Sequence, residues 1–142
     1  MDKIVYQEII QDYFGGCMVR VVAILFGILF LLAGIFGFFP SFAPNGMLGG
    51  YFHVNPAHNL IHLITGLIAL WAGFGGVHAS KMFFRVFGMV YVLIALLGLY
   101  YGDQDIFGVV ANNLSDVVLH FVVGTIALAL GFSCSCSSCK LR

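Results

Sequence analysis

The chain has 142 residues, 61% of them hydrophobic and 8% charged, with a formal net charge of zero. Six basic and six acidic side chains cannot cover the surface of a soluble domain of this size, so the composition points to a membrane protein. No basic field suggests nucleic acid, and no P-loop, nucleotide-binding glycine fingerprint or Ser/His/Asp arrangement is present.

Residues 1–18 mix Ile, Val, Tyr and Phe with Asp2, Glu8 and Asp12. They read as a cytoplasmic segment able to form a short interfacial helix, with Gly15 and Gly16 freeing it from the first span. A cleaved signal peptide is not expected, because the first apolar stretch lacks a small-residue cleavage site leading into a soluble domain. Residues 19–132 form the membrane domain. Its first apolar stretch, Val19–Phe39, is long enough for a transmembrane helix, which takes about 20 residues. The loop Pro40–Asn55 leads to the second span, Pro56–Gly76, whose entrance is "HVNPAHNLIHLITG". Asn55 suits an N-cap, and Pro56 the first helical position, where no backbone N–H is needed. His58 falls at the third position, with His62 one turn deeper, roughly 10 Å along the helix from the cap.

The third span is Lys81–Tyr101 and the fourth Asn113–Phe132. Asn113-x-x-Asp116 resembles a capping box, and an acid there also meets the positive end of the helix dipole. His120 lies one turn below Asp116. Residues 133–142 form a cytoplasmic tail in which Cys134, Cys136 and Cys139 are crowded together. A reducing compartment argues against a structural disulfide. Those thiols suit a flexible tail, a soft metal or S-acylation.

All six basic residues (Lys3, Arg20, Lys81, Arg85, Lys140 and Arg142) lie before or at the start of span one, at the start of span three, or after span four, and none lies in the other two loops. The positive-inside rule therefore places both termini in the cytoplasm of a multi-pass protein of the cell (inner) membrane. The chain also matches itself. A shift of 58 residues sets Asn55 on Asn113, His62 on His120, Gly66 on Gly124 and Gly73 on Gly131. A shift of 61 sets Phe26-Gly27 on Phe87-Gly88, and Gly37 on Gly98. Two hairpins, about 19–76 and 81–132, predict an all-α, up-down-up-down four-helix bundle. Its pseudo-twofold axis would run along the membrane normal.

Residues four apart share a helix face, so His58 pairs with His62 and Asp116 with His120. If both faces meet at the bundle axis, three imidazoles and a carboxylate converge, a donor set suited to zinc, copper or iron. His53, Asn55, Asn59 and Asn112 are placed to orient the rings. Haem ligation is a further use of the histidines. The same cluster also reads as a purely structural set of hydrogen bonds between helices.

The run Asn55-Pro56-Ala57-His58-Asn59-Leu60-Ile61-His62, with Gly66 beyond it, resembles a family of small four-span bacterial membrane proteins catalogued as a domain of unknown function. The resemblance covers about residues 20–132. That family's second half tends to read Asp-Asn, then His three residues later. Asp116 and His120 fit, whereas Val117 stands in the Asn position. The resemblance implies the fold and a membrane location, and no activity. The expectation is a membrane module, structural or partner-binding and not an enzyme. A metal-binding or redox role for the cluster is the alternative. Expected partners are the lipid bilayer and a second copy or another membrane protein, not nucleic acid.

Overall fold

A computed structural model describes residues 3–133, with side chains from Met18 onward. Cys17 and the tail thiols Cys134, Cys136 and Cys139 lie outside the described side chains. Four helices dominate: α1 (Lys3–Phe36), α2 (Pro56–Gly75), α3 (Val77–Tyr101) and α4 (Leu114–Phe132). Each contains a stretch long and apolar enough to cross a bilayer, that of α1 being Met18–Phe36. The all-α class and the multi-pass membrane character rest on these four helices. Side chains such as Leu67, Leu99 and Trp71 are 60%, 65% and 73% exposed, which suits lipid and would be costly in water.

α1 packs along α2, and α3 along α4; the pairs join through α1–α3 and α2–α3. The seams are set by glycine. A Cβ on Gly66 would fall 2.8 Å from Leu31 Cγ and 2.9 Å from Gly27 O. A Cβ on Gly124 would fall 3.0 Å from Val92, which is Leu31 shifted by 61. Gly27 and Gly88 lie equally tight against Leu70 and Leu128. Close backbone approach of this kind drives helix association in lipid, where water no longer does. Between α1 and α3 runs a column of rings. Phe26 stacks on Phe30 at 4.3 Å, and Phe87 lies 3.9 Å from Tyr91 between centroids.

Helix ends differ from the sequence reading, and α1 stops at Phe36, not Phe39. α3 begins at Val77, not Lys81, so one residue separates α2 from α3. Gly76 makes this tight connection with φ 110°, and Ser80 Oγ donates to Gly76 O and to Ala72 O. The helical backbone of α1 also continues through Gly15 and Gly16. At the far ends of α2 and α4, carbonyls that no helical N–H can reach receive basic side chains. Arg20 Nε donates to Gly73 O (3.2 Å), Arg85 Nε to Gly131 O (2.7 Å) and Lys81 Nζ to Ser133 O (3.0 Å).

The loops at the opposite end carry a small sheet that the periodicity did not announce. β1 (Met47–Leu48) pairs antiparallel with β2 (Phe52–His53), and Gly49 and Gly50 turn between them with φ of 60° and 81°. The second loop repeats the device: Ile106 bridges Val110 around Phe107 and Gly108, with φ of 54° and 69°. Each of these four residues lies 58 after its counterpart in the first loop. A left-handed Phe107 costs about 1–2 kcal/mol relative to glycine, and its ring stacks edge-on against Tyr101 at 5.5 Å.

Gly66→Leu should lower the thermal midpoint in detergent, by a destabilisation of about 1–3 kcal/mol from overpacking. Leu67→Ala, one residue along but facing outward, should leave the midpoint nearly unchanged.

Candidate metal centre

α2 and α4 start alike. Asn55 Oδ1 accepts from His58 N–H at 2.9 Å, and Asn113 Oδ1 accepts from Asp116 N–H at 3.0 Å. In α4 the capping box closes, because Asp116 Oδ2 accepts from Asn113 N–H at 3.1 Å. Each cap also reaches across to the other hairpin. Asn55 Nδ2 donates to Val109 O (2.8 Å), and Asn113 Nδ2 donates to Tyr51 O (2.9 Å). The next residue inward does the same. His58 Nδ1 contacts Ala111 O at 2.9 Å, while Asp116 Oδ2 accepts from His53 N–H at 3.1 Å. Residues 51 and 109, and 53 and 111, are again 58 apart. One side chain is bonded to a carbonyl and its counterpart to an N–H.

The contact with a carbonyl fixes the His58 tautomer. Ala111 O can only accept, so Nδ1 carries the hydrogen and Nε2 of the neutral ring is bare. That Nε2 lies 3.1 Å from His62 Nε2. His120 comes in from α4, its ring centroid 6.1 Å from that of His58. One ring nitrogen from each of His58, His62 and His120 lies within 4.8 Å of the others. His58 and His120 are 3% and 7% exposed. The three rings help line a cavity of about 30 Å³, together with Tyr91 and apolar groups that include Ile94 and Ile106. His120 Nδ1 is buried and finds no hydrogen-bond partner among the described residues.

The remaining predicted residues are arranged around this centre. Asp116 is on the face expected, but its Oδ2 is directed to the backbone amides of His53 and Asn113. His53 contributes through its backbone. Asn55 acts as cap and cross-link. Asn59 is buried with its amide against Gly37, where a Cβ would collide with it. Asn112 is buried too, and Nδ2 donates to Gly98 O (3.2 Å) and Gly102 O (2.6 Å). Its Oδ1 meets the position of a Gly98 Cβ, as Asn59 meets that of Gly37, 61 residues earlier. Asn112, in the loop before α4, thus brings a polar group against Gly98 of α3, where Val117 also packs. Among the described residues neither asparagine bonds to a histidine ring.

Residues that sequence reasoning passed over pack on the histidine rings or line the pocket. Phe30 lies 4.9 Å from His62, and Tyr91 stands edge-on to His120 at 4.7 Å. Tyr91 is Phe30 shifted by 61, so extending the alignment of spans one and three would have paired them. A tyrosine inside an apolar span was also a signal, because its hydroxyl is costly to leave in hydrocarbon. Ala111 offered none, since it acts through its carbonyl.

With this geometry in view, the family described as "Domain of unknown function (DUF4383)" matches residues 20–133. The chain belongs to the DUF4383 family. The match takes in all four transmembrane stretches and the whole histidine centre, and leaves out Cys134, Cys136 and Cys139. No match is found among the curated proteins or among the solved structures. Within DUF4383 the site must therefore be interpreted from its own chemistry.

Asp116→Ala in this DUF4383 protein should strip an acceptor from two amides and destabilise it by about 1–3 kcal/mol. Amide exchange measured by mass spectrometry should rise at His53 and Asn113 and stay unchanged at Gly73 and Gly131.

Proposed function

We propose that this DUF4383 protein holds one transition-metal ion between His58, His62 and His120 near one membrane face. The observation that supports this reading is the convergence of three ring nitrogens within 4.8 Å in a buried pocket. The His58 contact to Ala111 O adds to it, because metal-binding histidines commonly donate their other N–H to a carbonyl. A buried His120 Nδ1 without a protein partner costs about 1–3 kcal/mol unless something else engages the ring. The donors suit a bare ion. A cavity of about 30 Å³ has no room for a porphyrin, so haem is set aside. The protein acts as a binding or carrier module in this reading, not as an enzyme.

The architecture belongs to the same proposal. Two copies of a helical hairpin face each other across a pseudo-twofold axis, in up-down-up-down order, with the histidines near that axis. Support comes from the recurring offsets: His62 on Phe30 beside His120 on Tyr91, and Asn55 on the second loop beside Asn113 on the first. Both termini and the Gly76 connection face the cytoplasm, on the strength of the basic residues at that end, and the histidine centre faces outward.

A second reading takes the cluster as structural, and the direct contact of His58 Nε2 with His62 Nε2 at 3.1 Å favours it. In that case the rings hold α2 and α4 together without an ion, and the module serves a membrane-protein partner or a second copy. Elemental analysis separates the two. The metal reading expects one equivalent of metal per chain after gentle purification or reloading. It also expects loss in His62→Gln and His120→Gln, with helicity retained, and a thermal midpoint that falls on chelation. Metal-free protein that takes up no zinc or copper, with a midpoint indifferent to chelators, leaves the structural reading.

Orientation is tested separately. In a cysteine-free background, a membrane-impermeant maleimide applied to intact cells should label Ser41→Cys and spare His78→Cys. The reverse pattern would invert the topology.

A further inference from the structure

We infer that the ion is copper in its +1 state, bound by His58, His62 and His120 in a three-coordinate site whose charge Asp116 balances. The inference rests on the metal reading above and narrows it to one ion.

Coordination number is the first argument. Three nitrogens about 2.0 Å from an ion lie about 3.5 Å apart when the arrangement is trigonal. His58 and His62 already stand 3.1 Å apart, and no pair in the set exceeds 4.8 Å. Small ring rotations close the set. A fourth donor is harder to supply. Ile61, Ile94, Ile106 and Val110 offer only hydrocarbon to the cavity. Tyr91 meets His120 through its ring, edge-on. Asp116 places no oxygen among the donor atoms that converge within 4.8 Å, and its Oδ2 serves two backbone amides. A cavity of about 30 Å³ has room for a water-sized occupant, so a fourth ligand would have to come from solvent and not from a side chain. Zinc asks for four ligands, completing a three-histidine set with water. Copper(I), a filled-shell ion, is satisfied by three.

Charge is the second argument. The solvation cost of an ion in a low-dielectric interior grows as the square of its charge. Three imidazoles add none. Asp116 lies one helical turn from His120 and is 2% exposed, and as a carboxylate it supplies a single negative charge. A monovalent cation makes the site neutral, whereas a divalent one leaves it positive at the edge of the hydrocarbon. Neutralising zinc would require a hydroxide in addition, which no side chain of the protein supplies. Coordination and charge, which are independent, thus select the same ion.

The test uses the full chain in detergent with all four cysteines replaced by serine, because thiolates also take Cu(I). Anaerobic titration with Cu(I) against bathocuproine disulfonate, and with Zn(II) against a chromogenic chelator, gives both affinities. The expected result is one Cu(I) per chain, bound at least about a hundredfold more tightly than Zn(II). Copper absorption spectroscopy should show three nitrogen neighbours and no fourth. His62→Gln and His120→Gln should each weaken Cu(I) by at least about tenfold. Tyr91→Phe should change it by less than about threefold, and Asp116→Asn should weaken it without changing the coordination number. Preferred binding of Zn(II) with four neighbours, or loss of copper in Tyr91→Phe, overturns the copper assignment and leaves the metal reading standing. Failure of both ions to bind overturns the two together.

Discussion

Polar groups that leave water at a membrane face must find partners inside the protein, and the end of this bundle that carries the two long loops is organised by that requirement. The loops between α1 and α2 and between α3 and α4 expose backbone carbonyls and amides close to hydrocarbon. Neither hairpin satisfies its own loop alone. Asn55 and His58 of α2 hold Val109 O and Ala111 O of the other hairpin's loop, and Asn113 and Asp116 of α4 hold Tyr51 O and His53 N. This reciprocal grip closes the loop end of the bundle, where α2 and α4 otherwise share few contacts. It also fixes the depth and rotation at which His62 and His120 enter.

The grip explains why one hairpin carries histidine where the other carries aspartate. At the same position one loop presents a carbonyl and the other an N–H. A ring N–H answers the first and a carboxylate oxygen the second. In the proposed duplication, the strands of the two loops run in matching register, Leu48 with Phe52 and Ile106 with Val110, while the inward residues have diverged to suit opposite partners. Once Nδ1 of His58 is committed to Ala111, its Nε2 is directed at His62. A structural requirement at the loop thereby sets the chemistry of the centre.

Much of this was legible in the sequence, and the reasons for the remainder are physical. Caps were readable because Asn-Pro and Asn-x-x-Asp place specific atoms against specific orphan amides. The membrane helices were readable from composition and length. The pairing of His58 with His62 came from helical spacing alone. The features that the sequence concealed involve backbone or a single dihedral angle. Gly76 joins α2 to α3 in one residue because its φ is positive, which no hydropathy profile records. The loop bridges are two residues long or shorter, below the length at which alternation is visible. Asp116 lay on the predicted face, yet its direction depends on the amide of His53, whose position only the folded loop supplies. Arg20, Arg85 and Lys81 carried two messages at once. They gave the topological signal of the positive-inside rule, and they bond to carbonyls at the ends of α2 and α4.

A perfectly symmetric pair of hairpins would offer either four imidazoles or two imidazoles and two carboxylates near the axis. The first set would hold an ion with nothing to offset its charge, and the second would bury two like charges close together. The chain stands between these limits. In the proposed duplication His62 and His120 keep the symmetry, and Phe30 and Tyr91 pack on them from positions 61 residues apart in α1 and α3. His58 and Asp116 break it. One substitution at one repeated position therefore supplies a third neutral donor on one side and one negative charge on the other. In the proposed copper(I) site a single positive ion near the axis answers both, whereas a divalent ion does so only with a further anionic group.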